Sequence, residues 1–388
     1  MPAKPSQTVR KALQFLHLWL GLILCVPLVL LGLTGTILVF EKDLKPAQHA
    51  VATGSHQPVA AIVAAAAKAA PEHQTASMVI VPTDGGMAIV RFAQAGGNGG
   101  GRGTGPGFGA QIAVDPVSLD IATSPGAPGF MRQVHMLHAN LLTPGRTGRS
   151  IIGWLGVVML VMGISGLVIW WPRPSRWAAA FRVGRGARGI RLHRELHGAV
   201  GIWGLIVFIV VSFSGVYLAF PETVAGVIGI ALPNADMRPG APPHVAAVQD
   251  GARIDADQAV ALADMAVPGG ILKSVGLPMR PDQPYRIGLA HQGSGEGAPI
   301  VTVFVDPWTA KVIEIRDPAT YGLGARLIAW QHATHAGDGL GPIWHLLVGL
   351  SGLLPALFAV TGISMWLLKR RARRRIAAVR GALPMAAE

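Results

Sequence analysis

The sequence predicts a mainly α membrane protein: a four-helix transmembrane bundle made by internal duplication, carrying two small α+β domains outside the cytoplasm. Three observations predict it. Residues 18–40, 151–171, 197–220 and 344–368 are apolar stretches without Asp, Glu, Lys or Arg, and a helix needs roughly 20 such residues to cross about 30 Å of hydrocarbon. The chain is also written twice: adding 180 carries His17, Gly21, Gly35 and Phe40 onto His197, Gly201, Gly215 and Phe220, and adding 196 carries Gly166 and Trp170 onto Gly362 and Trp366. Finally, the two long segments between spans, 41–150 and 221–343, each hold one helical pattern followed by strand patterns.

Composition agrees with a bilayer. The chain of 388 residues is 51% hydrophobic with a mean hydropathy of +0.45, above the usual range of soluble domains. The first span follows Lys4, Arg10 and Lys11 but is too long for the apolar core of a signal peptide, and no small-x-small cleavage site follows; it is expected to stay as an anchor.

The net charge is +13. Residues 1–16, 172–196 and 369–388 hold 17 of the 33 Lys+Arg and only 2 of the 20 Asp+Glu; the rest holds 16 basic and 18 acidic residues. These segments share one side of a four-span topology, so the excess follows the positive-inside pattern rather than a nucleic-acid footprint. The expected order is a cytoplasmic N-terminus (1–17), a first periplasmic domain ending in a histidine-bearing juxtamembrane segment (41–150), an Arg-rich cytoplasmic loop (172–196), a second periplasmic domain (221–343) and a basic cytoplasmic tail (369–388). Both termini are then expected in the cytoplasm. Cys25 is the only cysteine, which excludes an intrachain disulfide and any cysteine-held zinc or iron–sulfur centre.

In the first extracytoplasmic segment "PVAAIVAAAAKAA" reads as a helix, "SMVIVP" and "MAIVRFAQ" as strands, and "QIAVDPVSLDIAT" as a strand turning at Asp-Pro. In the second, "DADQAVALADMA" is a helix with an Asp-rich start, "ILKSVGLP" and "PYRIGLAHQ" are strands, and "VTVFVDPWTAKVIEI" is a hairpin turning at Asp306-Pro307. The glycines of 96–109 stand between no strand and helix of a dinucleotide fold and read as a flexible hairpin insertion.

The motifs "FLHLWLGL", "MLHANLLTPGRTGRSIIGWLG", "ELHGAVGIW" and "THAGDGLGPIWHLLVGLSGLLPALFAVTGISMW" resemble the PepSY-associated transmembrane family, and within it the inner-membrane siderophore reductases and iron-uptake factors. The resemblance covers nearly the whole chain. It implies a location in a bacterial inner membrane, two PepSY-like periplasmic domains and a ferric, or ferric-siderophore, reductase bearing haem b, two groups in number.

Histidine is costly at membrane depth and tends to face a cofactor, cavity or partner. His17 and His197 begin the first and third spans at matching positions, so two imidazoles can converge as the axial ligands of one haem; the alternative is that they anchor helix ends at the interface. His193, four residues before His197, shares its helix face and is a rival ligand, a haem-propionate contact or a solvated residue. On the other side "HMLH" (His135, His138) and "HATH" (His332, His335) each precede a span. Spacing alone lets either pair hold a metal ion, or one member of each serve a second haem. Family positions match His138 and His335, which leaves His135 and His332 near the substrate, and His345, whose counterpart is Arg149, as a further candidate.

Thr34-Gly35, Ser165-Gly166, Ser214-Gly215 and Thr361-Gly362 put small residues in all four spans, where they admit the edge of a macrocycle or close helix packing. Trp154, Trp170, Trp171, Trp344 and Trp366 read as an aromatic belt. His49, His56, His73, His244 and His291 show no useful spacing. No flavin or nicotinamide fingerprint is visible, so the expected electron donor is quinol or a separate cytoplasmic flavin/NAD(P)H reductase. The Arg-rich loop meets lipid headgroups or an acidic partner. Two other classes remain open: a cofactor-free PepSY protein that binds or restrains a periplasmic partner, and a divalent-metal sensor at the histidines.

Overall fold

The computed structural model describes residues 7–44, 54–82, 85–94, 110–122, 128–143, 145–231, 241–248 and 251–382. The glycine-rich stretch 96–109 and His49 lie outside them. Three helices are long and apolar enough to cross a membrane: α6 (Arg146–Trp170), α8 (Gly189–Ala219) and the run Pro342–Ala377. The first span differs from the expectation of one helix over 18–40. It is two helices, α1 (Gln7–Ile23) and α2 (Cys25–Val39), bent by 69°. Pro27 is the cause: it has no N–H to offer the carbonyl of Ile23, and its ring crowds that turn. The third span has Val207 at the matching place and is one unbroken helix of 31 residues.

The fourth span shows the same chemistry more mildly, with α13 (Pro342–Ser351) and α14 (Leu354–Ala382) parting at Gly352-Leu353 just before Pro355. His17 and His197 therefore lie well inside helices that begin eight to ten residues earlier, rather than at span starts.

The shorter helices flank these spans. On the side reached after the first span lie α3 (Glu41–Leu44), α4 (Val59–Ala67) and α5 (Pro128–Asn140). The short α7 (Trp177–Ala180) sits in the Arg-rich loop, and α9 (Pro221–Ala231), α10 (Ala256–Ala266), α11 (Leu323–Ala329) and α12 (Gln331–Ala336) fall in the second half. Helix α8 packs on α6 and α14, α2 on α13 and α14, and α1 on α6 and α14. Small residues make these approaches close. A methyl group on Gly32 would run into the carbonyl of Gly352, and Thr36 Oγ1 donates to Gly349 O at 2.9 Å across the same crossing. The rings of Phe40 and Phe220 rest on Gly349 and Gly153, a contact made once per repeat. The outward faces stay apolar, with Trp203 72% and Ile206 76% exposed, as a lipid-facing surface requires.

The two expected α+β domains are joined. Strands β1 (Gln74–Ile80), β2 (Ala88–Gln94), β3 (Gln111–Val114), β4 (Ile271–Gly276), β5 (Tyr285–Ala290), β6 (Val301–Val305) and β7 (Val312–Arg316) form one antiparallel sheet in the order β3-β2-β1-β4-β5-β6-β7. The seam is the pairing of β1 with β4, Met78 opposite Gly276 and Ile80 opposite Ser274. Pairing removes two exposed strand edges at once; periodicity within a segment carries no record of such a pairing. Val79, Val90, Val275, Ile287 and Val303 are fully buried on the sheet, under Ile62 and Ala66 of α4 and Ala259 and Ala263 of α10.

The Asp-rich start of α10 has two uses. Asp255 closes a capping box with Gln258 on its own helix. Asp257 reaches across the repeat, where its carboxylate accepts the N–H groups of Val59 at 2.6 Å and Ala60 at 3.1 Å and so caps α4. Asp257→Ala is expected to destabilise the sheet domain by about 1 kcal/mol, seen as faster pulse proteolysis with α4 the first segment cut. The two Asp-Pro turns also match: Asp115 Oδ1 accepts Val117 N at 2.8 Å, and Asp306 Oδ1 accepts Trp308 N at 2.8 Å.

Candidate functional site

The bundle brings four of the histidines together in two pairs. His17 on α1 meets His197 on α8, with ring centroids 6.2 Å apart and planes at 68°. His138 on α5 meets His335 on α12, with centroids 6.1 Å apart and planes at 46°. His197 and Ser214, which marks the second pair on α8, are 17 residues apart, or about 25 Å of helix at 1.5 Å per residue. The two pairs therefore sit near opposite ends of the bundle.

Each ring is fixed through Nδ1. His17 Nδ1 lies 2.8 Å from Ser165 Oγ, and His197 Nδ1 lies 2.8 Å from Thr361 Oγ1. In the second pair His138 Nδ1 is 3.0 Å from Thr34 Oγ1 and 3.1 Å from Leu31 O, while His335 Nδ1 is 3.0 Å from both Ser214 Oγ and Val211 O. A carbonyl only accepts, so in the second pair Nδ1 carries the proton and Nε2 is left as a bare lone pair. The hydroxyls agree with this tautomer. Each donates to its own helix, Thr34 to Leu30 O, Ser165 to Met162 O, Ser214 to Val210 O and Thr361 to Leu357 O, and is thereby free to accept from imidazole. Desolvation between the helices pushes His138 down to about 3 and His335 down to about 4, so on these short juxtamembrane helices both rings stay neutral.

Close packing completes the cradle. A methyl group on Gly35 would stand 3.1 Å from His138 Cε1, and one on Gly215 the same distance from His335 Cε1. The donor set suits a haem. Two metal–nitrogen bonds of about 2 Å and two imidazole radii of about 1.1 Å would put the centroids of two imidazoles holding one iron from opposite sides about 6.2 Å apart, close to both observed separations. Fixing the non-ligating nitrogen is also what metal-binding histidines require. Among the described residues no three His, Cys, Asp or Glu converge on one point. Two imidazoles suffice only for a metal that brings its other ligands with it, as iron in a porphyrin does.

The first pair opens onto a cavity of about 1210 Å³. Phe358 stacks beside His197 at 4.8 Å between centroids, and Gly166 faces His17 Cε1, 3.4 Å from where a methyl would stand. Arg10, Arg173, Arg176, Arg182, Arg194 and Lys369 also line it.

The remaining candidates fall elsewhere. His193 does not line the cavity, and its Nδ1 is buried without a hydrogen-bond partner among the described residues; one helix face is wide enough to part it from His197. His345 turns Nε2 to the carboxylate of Asp43, 3.4 Å away, with its ring against Phe40. His135 and His332 are exposed on α5 and α12, beside His138 and His335 rather than between them. Sequence reading named the four hydroxyl residues for their size and missed their part in orienting imidazole. The signal was present, since in each span the Ser or Thr immediately precedes the repeated glycine.

Comparison with known proteins agrees with this architecture. The family model of the PepSY-associated TM region matches residues 14–369. An uncharacterised protein of Pseudomonas aeruginosa is 27% identical over 265 residues, which make up 60% of this chain and 62% of that protein's length. With the family pattern running through every span and both histidine pairs, the chain belongs to the PepSY-associated transmembrane family, and it is a mainly helical membrane protein.

Proposed function

We propose that this protein is a four-span haem b protein of the bacterial inner membrane that carries electrons across the bilayer to reduce periplasmic ferric iron, with ferric siderophores as the leading substrate class. The observation that carries the reading is the repetition of one built arrangement: two imidazoles at axial-ligand separation, each with Nδ1 tied to a hydroxyl or carbonyl of a neighbouring helix. Haem bound there supplies one-electron chemistry at its iron.

The chain supplies position. His17 and His197 would hold the inner group, His138 and His335 the outer one, and the small residues of the spans would give a macrocycle room. The charge pattern supports an orientation with the termini and the Arg-rich loop cytoplasmic and the sheet domain periplasmic. Electrons then enter from quinol or a separate cytoplasmic flavin/NAD(P)H reductase. Passing one electron to Fe(III) gives Fe(II), which hard oxygen ligands hold less firmly.

The test is transport of electrons rather than of iron. Oriented proteoliposomes enclose a ferric hydroxamate and an Fe(II)-specific chelator, and reductant is added only outside. The reading predicts Fe(II) formation inside that depends on the protein and is lost in His138→Ala. Haem-loaded wild-type vesicles that form Fe(II) no faster than protein-free vesicles contradict it.

A further inference from the structure

The inner cavity follows the repeat. Gly21 and Gly201, Gly166 and Gly362, and Trp170 and Trp366 all line it, each pair related by the offsets of 180 or 196 that superpose the halves of the sequence. His17 and His197 obey the same relation. The cavity thus lies on the axis between the two repeats, and its occupant meets the same wall twice.

The lining is also charged beyond what the protein itself neutralises. Its six basic side chains face one acid, Glu195, which is already held by Arg191 Nε at 2.7 Å and Gly184 N at 2.9 Å. An apolar pocket with a cationic rim takes an amphipathic anion. Of the six cations only Arg173 and Lys369 are partners under the offset of 196. The counterparts of Arg10, Arg176 and Arg182 are Ile190, Ala372 and Ala378, and that of Arg194 is Gln14. Arg173 lies three residues beyond Trp170, as Lys369 does beyond Trp366. Both are exposed, and neither side chain is spent on a hydrogen bond or ion pair with the described residues. Arg10, by contrast, donates from Nη2 to Ile169 O at 3.0 Å.

We infer that Arg173 and Lys369 are the carboxylate anchors of the inner site, one from each repeat, each answering one of the two acids of the porphyrin proposed above. The inference rests on the haem reading above and extends it to residues outside the metal's reach. A twofold pair of cations beside a twofold pair of imidazoles matches a flat ring with an iron at its centre and two acids on one edge.

The test uses the full chain, made under haem limitation and loaded in detergent with protohaem or with its dimethyl ester, which keeps the ring and iron and lacks both charges. Affinity at the inner site is read by transfer to apomyoglobin, with the outer site as internal standard. R173Q and K369Q are each expected to weaken protohaem at the inner site by about tenfold, R173K and K369R to restore most of it, and the ester to bind wild type and the double variant alike. Equal affinity of protohaem for wild type and double variant overturns the inference, as does a double variant that still prefers protohaem to its ester. Loss of inner haem in His17→Ala beside an unchanged R173Q overturns the carboxylate assignment alone. A wild-type chain that takes up neither compound overturns the haem reading and this assignment with it.

Discussion

Alanine at His138 is expected to remove one haem per chain and leave the other in place, and alanine at His17 to remove the other. The expectation follows from the separateness of the two pairs, about 25 Å apart along α8, with no shared orienting residue. His138 holds its ring through Thr34 and Leu31, and His17 through Ser165. On the proposed reading, deleting either imidazole would leave one ligand where there were two, and the loss of affinity should exceed the about hundredfold that follows from losing an orienting partner alone. His135→Ala and His332→Ala serve as controls, because both residues are exposed beside the outer pair, and should keep the full complement. Haem-to-protein ratios of the four variants decide the matter. A His138→Ala protein with unchanged haem content and spectrum contradicts the assignment.

Gly32→Val is expected to cost about 3 kcal/mol and to lower the yield of folded protein in the membrane. A β carbon on Gly32 would run into the carbonyl of Gly352 and meet the ring of Pro355, so a side chain there must push α2 away from the α13–α14 junction. That movement also breaks the bond from Thr36 to Gly349 and displaces Thr34, one partner of His138. Gly226→Ala supplies the opposite sign. It lies inside α9 with nothing within 4 Å of an added methyl, so only helix propensity changes, in favour of alanine by about 1 kcal/mol. Unfolding in mixed detergent micelles, followed by circular dichroism, measures both. A Gly32→Val protein as stable as wild type contradicts the crossing described here.

Much of this arrangement is legible in the sequence, and the parts that are not share a cause. The apolar spans and the repeat offsets are local or periodic, so His17 and His197 are paired by the offset of 180 before any coordinates, whereas His138 and His335 miss the offset of 196 by one residue and are matched by the family resemblance. Contacts between elements are not written that way. The joining of β1 to β4 depends on which edges meet, and two separate domains satisfy the same strand patterns. The approach of Asp43 to His345 is likewise a contact between distant elements. The bend at Leu24 has a local cause in Pro27, but hydropathy averages a proline into its neighbours and reports one span. The hydroxyls beside the imidazoles were read as room for a ring, since their donors and acceptors acquire meaning only once the facing helix is known.

The central claim is that the two histidine pairs are axial haem sites. Its most direct test is the haem-to-protein ratio and dithionite-reduced minus oxidised spectrum of the chain purified after expression with ample haem. The account predicts about two low-spin b-type haems per chain, with a sharp α band on reduction. A colourless protein under those conditions contradicts it.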